Sequence, residues 1–267
     1  MGITYYFQIA GLFLIPFLAV LLPLLIGQRF GVAARKKSDE VPHTQVNTVV
    51  VTAFGLLALM IAFTFQIAAS RYEARKQLLM DEVTKIRTTY LRAGLIPEPY
   101  RTNTKSLLIE YVDDRLQVAY DLEALGRALN RSEQILDTLW KYSEILAEKD
   151  RSSEAFALYI ISVNEMVDAQ NQRLTVALQY RIPSAVIIAL FTIEIFSMLV
   201  LGYQFGISGK GNSKLNLVLS LIFTVVIFLI LVLDRPELGL ARLNQKPMQM
   251  LQEQMQGKQM KVESLVP

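Results

Sequence analysis

Side chains that could carry out chemistry are few in this sequence. It contains one histidine, His43, and no cysteine. A single histidine leaves little scope for a nucleophile activated by a histidine base. The absence of cysteine excludes disulfides, iron–sulfur clusters and thiolate zinc sites. We expect His43 to be a solvated histidine, the alternative being a pH-sensing group. The sequence predicts no enzyme, no catalytic residue and no cofactor.

Four methionines near the C-terminus offer another possible chemistry, because thioether sulfurs suit soft metals such as Cu(I). They are Met248, Met250, Met255 and Met260. With no histidine or cysteine nearby, the favoured interpretation is an apolar face on a short amphipathic helix. We therefore predict no metal site.

One acidic residue lies inside a long apolar segment. Glu194 is near the middle of residues 182–206, where a charged side chain would cost about 2.5–3.5 kcal/mol in a membrane. One hypothesis is a neutral carboxyl group hydrogen-bonded between helices, with Ser197 or Gln66 as its partner. The other is a group that titrates in an ion or proton pathway.

Four segments are long and apolar enough to cross a bilayer. They are residues 5–26, 46–70, 182–206 and 215–233, each bound being approximate. The chain is 52% hydrophobic, which is typical of an integral membrane protein. The first segment lacks the basic start and cleavage site of a signal peptide. A net charge of only +3 gives no indication of nucleic-acid binding.

The second span is predicted to continue without a break into water, as one helix from Val46 to Arg92. Its apolar part carries a stripe of small residues with one polar member, at three- and four-residue spacing: Gly55, Ala58, Ala62, Gln66 and Ala69. Such a stripe favours close helix packing in lipid. The functional alternative is a face turned towards a central axis, with Gln66 as its polar point.

Residues 71–181 are predicted to form a soluble helical bundle inserted between the second and third spans. A turn at Gly94, Pro97 and Pro99 ends the long helix, and a second helix is expected from Tyr100 to Ala128. Residues 130–133 are predicted to cap the next helix, and Ser152 or Ser153 the last. The fold class is all-α, with domains at 1–70, 71–181 and 182–234 and a tail at 235–267.

The end of the last span carries the charged pair Asp234 and Arg235, followed by Pro236. Proline stops the helix and biases the residue before it away from helical conformation. We predict a structural anchor in which, for instance, Arg235 pairs with Glu73. The alternative is an exposed ion pair at the membrane boundary, worth only about 0–1 kcal/mol.

Three local patterns between about residues 45 and 245 resemble the bestrophin-like family of bacterial membrane proteins. They are Arg71-Tyr72-x-Ala74 with Glu82 and Tyr90, then Leu95-Ile96-Pro97, and finally Leu233-Asp234-Arg235-Pro236 with Gly239. The family is related to bestrophins, which are pentameric anion channels with four spans per subunit and a second helix that lines an apolar neck.

The resemblance implies a multi-pass protein of the bacterial inner membrane that assembles as a homo-oligomer, by analogy a pentamer. It implies an ion channel for anions such as chloride, whose partners are inorganic ions and the lipid bilayer, with the second span lining the pore. The alternative function is a membrane-anchored helical scaffold or sensor without transport activity.

The sequence alone leaves open which side of the membrane carries the soluble domain. Basic residues in the two short loops favour a domain outside the cytoplasm under the positive-inside rule. The resemblance to bestrophins favours a domain inside.

Overall fold

The computed structural model describes residues 3–37, 43–120, 125–178, 180–209, 213–235 and 240–257, and these residues contain helices and no strand. In chain order the helices are α1 (Ile3–Lys37), α2 (His43–Arg92), α3 (Tyr100–Tyr120), α4 (Leu125–Lys149), α5 (Glu154–Leu178), α6 (Ser184–Ser208), α7 (Ser213–Asp234) and α8 (Lys246–Met255). Four of them, α1, α2, α6 and α7, are long and apolar enough to cross a membrane.

The chain divides into two compact units. The first consists of Met1–Glu73 and Tyr180–Arg242, and the second of Ala74–Gln179 and Leu243–Pro267. The described residues 243–257, which are part of the predicted tail, group with the second unit, and α2 contributes residues to both units.

Close packing of α1 on α6 organises the first unit. Gly27 and Gly31 of α1 lie against Gly202 and Gly206 of α6, with the same four-residue spacing on each helix. A Cβ atom on Gly202 would collide with the carbonyl group of Leu24, which is backbone and cannot swing away. Small residues are what allow two helix backbones to approach this closely in lipid.

Polar side chains add specific links between the helices of the first unit. The Asn216 side-chain amide donates to Gln28 Oε1 at 2.7 Å and joins α7 to α1. The Gln204 amide donates to Asn47 Oδ1 at 3.0 Å and joins α6 to α2. Interhelical hydrogen bonds of this kind fix which faces of the helices meet.

The second unit has its own apolar core, to which five helices contribute. Its buried members include Ile86 of α2, Leu108 of α3, Leu139 of α4 and Met166 of α5. The tail helix α8 completes this core through Met248, Leu251 and Met255.

The apolar interpretation of the methionines is confirmed for Met248 and Met255, which are buried in that core. Met250 is half-buried, and Met260 lies outside the described residues. Within the described residues, no group of three or more histidine, cysteine or acidic side chains is arranged to hold a metal ion.

Three sequence-based boundaries were wrong. The predicted loop from Gln28 is helical as far as Lys37, since Gly31 packs on α6 and the basic last turn suits a helix C-terminus. The predicted cap at residues 130–133 lies inside α4, where Ser132 is buried in the apolar face. The helix end predicted at Ala128 lies inside α4, which is helical from Leu125 to Lys149. The start of α5 agrees better, because Ser153 Oγ accepts from the Phe156 amide at 3.4 Å.

Candidate functional site

The small-residue stripe lies on a face of α2 that the first unit leaves open. Gly55, Ala58, Ala62 and Gln66 are exposed and Ala69 is half-exposed. A Cβ atom on Gly55 would meet nothing within 4 Å. The opposite face of α2, with Leu57, Thr64 and Ala68, is buried against the other helices of the unit. The stripe is therefore not a packing seam within this chain, and its surface is available to a second copy, lipid or solvent.

Large apolar side chains flank the stripe and are equally exposed. Leu56, Leu59 and Phe63 lie on one side of it, with exposed fractions of 50%, 55% and 63%, and Phe65, which is 39% exposed, lies on the other. A narrow line of small side chains between bulky apolar neighbours gives α2 two distinct outward surfaces. The bulky side chains suit lipid or a neighbouring helix, whereas the small stripe leaves open space in front of the helix.

Glu194 lies inside the first unit and not on its outer surface. It is fully buried, with Leu190 and Met198 one turn away on either side in the same apolar cluster. Neither carboxyl oxygen has a hydrogen-bond partner among the described residues. An ionised carboxylate in such a place would be uncompensated.

Neither of the two side chains predicted as partners of Glu194 forms a hydrogen bond with it. The Ser197 hydroxyl donates to the Ile193 carbonyl at 2.7 Å and lies 3.3 Å from the Ala53 carbonyl on α2. Gln66 is on the exposed face of α2, which points away from the buried side of the helix. The predicted pairing was therefore wrong, because the phase of α2 turns Gln66 outwards.

Asp234 makes the structural contact at the end of α7. Its Oδ1 atom accepts from the backbone N–H of Ile182 at 2.8 Å in a buried setting, which ties the end of α7 to the entry of α6. Arg235 is exposed, and its suggested pair with Glu73 stays a prediction. The anchoring role belongs to the acidic member of the motif, and Pro236 lies outside the described residues.

A buried ionic network in the second unit was not predicted from the sequence. Glu82 of α2 is fully buried, and its Oε1 atom accepts from Arg115 Nε at 2.8 Å and Arg115 Nη2 at 2.7 Å. Its Oε2 atom pairs with Arg173 Nη1 of α5. One carboxylate thus binds arginines from two other helices. The position of Glu82 between the buried residues Leu79 and Ile86 was the available signal, since one charge within an apolar face needs partners.

Tyr111 extends this network towards α5. Its hydroxyl group lies 2.8 Å from Glu82 Oε1 and 2.7 Å from Oε1 of Gln170. Burial raises the pKa of the Tyr111 hydroxyl well above its usual value. The hydroxyl group therefore stays protonated at neutral pH and can donate to the Glu82 carboxylate.

The described residues define the class of the protein. They are all-helical, with four helices suited to crossing a membrane and a second helical compact unit formed by α3–α5, the end of α2 and α8. Residues 14–248 match the family model described as the bestrophin-like domain. Since the match covers most of the sequence, the chain belongs to the bestrophin-like family. Among curated proteins and solved structures, none matches the chain significantly.

Proposed function

We propose that the protein is a multi-pass inner-membrane protein that forms an oligomeric ion channel, with α2 of each subunit facing a central axis. The observation that carries the proposal is the open small-residue stripe on α2. A helix that exposes a narrow face of small residues between bulky apolar flanks suits a ring in which the flanks meet neighbours and the stripe borders a pathway. A closed ring of identical subunits is the assembly that such an axis requires.

The expected permeant ions are anions such as chloride, because the family is related to bestrophin anion channels. The stripe carries no acidic side chain, and Glu194 lies within the subunit, so no ring of carboxylates faces the proposed axis. Rings of acidic side chains favour cations. By analogy with bestrophins, we propose that the channel is a pentamer. We also propose that the protein has no enzymatic activity and that its helical domain is inserted between the two pairs of spans.

Conductance of the purified protein in planar bilayers tests the proposal, and Ala62→Phe tests the role of α2. A large apolar side chain at Ala62 should narrow an apolar pathway and abolish or strongly reduce the current, since apolar constrictions can exclude water. Val225→Phe, at an exposed position of α7, is the control and should conduct normally. Normal current in Ala62→Phe would contradict pore lining, and a wild-type protein that is monomeric and silent would favour the scaffold or sensor.

A further inference from the structure

A pocket of about 340 Å³ lies on α1, where its apolar segment ends. Two polar and two apolar side chains line it: Gln28, Arg29, Leu25 and Val32. Arg29 carries the first charged side chain of the sequence, so it marks the point where α1 reaches the edge of the hydrocarbon layer. The described lining contains no acidic side chain. The pocket therefore presents a positive charge at the depth of the lipid headgroups.

The hydrogen bond between Gln28 and α7 decides which end of the Gln28 amide group faces the pocket. Gln28 Oε1 accepts from the Asn216 side-chain amide at 2.7 Å, and Asn216 is only 1% exposed. Since the Gln28 oxygen points to α7, its –NH2 group is left for the pocket. Reversing both amides would leave the Asn216 nitrogen, instead of its oxygen, unpartnered in the interior. Buried N–H groups without an acceptor are rarer than carbonyl oxygens without a donor, which favours the orientation described.

The polar side of the pocket therefore offers hydrogen-bond donors. The Arg29 guanidinium group has N–H groups and no acceptor, and Gln28 adds its –NH2 group. Donors around a fixed positive charge suit a phosphate or phosphodiester group, whose charged oxygens accept hydrogen bonds. An ammonium group would meet the arginine charge and would be repelled.

An exposed apolar strip on α1 leads from the pocket into the membrane. Its members Leu25, Leu22 and Leu18 are 37%, 50% and 39% exposed. They precede Arg29 by four, seven and eleven residues, a spacing that places all four side chains on one face of the helix. At about 1.5 Å per residue, the strip extends roughly 16 Å along the helix. A molecule with an anionic headgroup at Arg29 can thus lay an acyl chain over these leucines.

We propose that this pocket binds the headgroup of an anionic phospholipid, with one acyl chain against the leucine strip. The phosphodiester oxygens accept from Arg29 and from the Gln28 –NH2 group. A free phosphate ion would gain nothing from the apolar strip, and a lipid without net charge would gain less from the arginine. The inference depends on α1 crossing the membrane and not on ion conduction, so it can succeed or fail independently of the proposed channel.

Native mass spectrometry of the intact protein in detergent can count the lipids that stay bound. Titration with dioleoylphosphatidylglycerol, which carries one negative charge, should show a saturable site on each subunit. Dioleoylphosphatidylcholine has the same acyl chains and no net charge, and it should bind at least about ten-fold more weakly. An excess of inorganic phosphate should not displace the phosphatidylglycerol. Displacement would assign the pocket to a soluble anion and overturn the proposal, as would equal binding of the two lipids or no saturable binding.

Arg29→Gln should weaken phosphatidylglycerol binding at least about ten-fold. Gln28→Glu should do the same, because it keeps the oxygen that accepts from Asn216 and turns the donor that faces the pocket into an acceptor. Lys37→Gln is the matched control, since it also lowers the net charge by one, at an exposed position of α1 outside the pocket. The control should bind like the unmodified protein. Equal weakening in all three variants would indicate a diffuse attraction between basic residues and anionic lipid and would overturn the proposal, as would unchanged binding in both pocket variants.

Discussion

Glu194 is the residue whose chemistry the structure constrains most strongly. Both of its carboxyl oxygens are buried without a partner, among apolar residues inside the subunit. We expect Glu194→Gln to assemble and to conduct with unchanged ion selectivity and pH response. Glu194 is buried in α6 and does not face the axis that α2 is proposed to line. Glu194→Leu should be equally stable or more stable, since it removes an unsatisfied polar group. Ion selectivity from reversal potentials and melting temperatures in detergent would check both, and a shift in selectivity in Glu194→Gln would assign the residue to the pathway.

The Glu82 carboxylate gives the clearest prediction for stability at the same scale. Glu82→Gln leaves the guanidinium groups of Arg115 and Arg173 without their counter-charge, and loss of one partner of a buried ion pair typically costs about 3–5 kcal/mol. We expect a clearly lower melting temperature.

Glu165→Gln is the control for the Glu82 substitution. Its pair with Lys85 also involves α2, but both side chains are more than one-third exposed, so the loss should be at most about 1 kcal/mol. Equal melting temperatures for the two variants would show that the Glu82 network does not stabilise the domain.

The packing of α1 on α6 makes a prediction at the scale of whole helices. Gly202→Ala places a methyl group against backbone atoms of α1, so the two helices must move apart. Overpacking of this kind costs roughly 1–3 kcal/mol, and we expect a lower melting temperature and a lower yield of folded protein. Gly55→Ala is the matched control because open space surrounds that position. It should be neutral or slightly stabilising, since alanine favours helix.

At the scale of single helices, the sequence predicted those helix ends that local patterns determine. The long helix ends at Arg92 as expected, because Gly94 and two prolines follow it closely. The ends of α6 and α7 lie within two residues of the predicted ones, since continuous apolar runs set them. The sequence did not predict the continuation of α1 to Lys37, because the polar residues there favour a loop, whereas contacts with α6 keep this stretch helical.

Contacts between distant segments were beyond the reach of a single sequence. The Glu82 network joins residues from α2, α3 and α5, and no local spacing indicates that these three helices converge. The stripe on α2 was recognised from its spacing, but only the structure shows that its own chain leaves it uncovered. In the same way, the glycine pairs of α1 and α6 become meaningful once each is seen to face the other.

For the whole molecule, the prediction concerns which side of the membrane carries the second unit. Because the chain belongs to the bestrophin-like family, we expect this unit in the cytoplasm, against the charge bias of the short loops. The chain has no cysteine, so single cysteines can be labelled in intact spheroplasts with an impermeant reagent. Lys37→Cys should react and Lys141→Cys should not, both positions being exposed. The opposite pattern would place the domain outside.

The second unit is assembled from two stretches of chain that are separated by α6 and α7. During synthesis, α8 leaves the ribosome after both of those apolar helices. Until then the core lacks Met248, Leu251 and Met255, and the Tyr90 hydroxyl lacks the Met255 carbonyl that accepts from it at 3.1 Å. The domain therefore cannot reach its final packing before membrane insertion of the whole chain is under way. A nascent chain arrested before Lys246 should consequently remain sensitive to proteases within α3–α5.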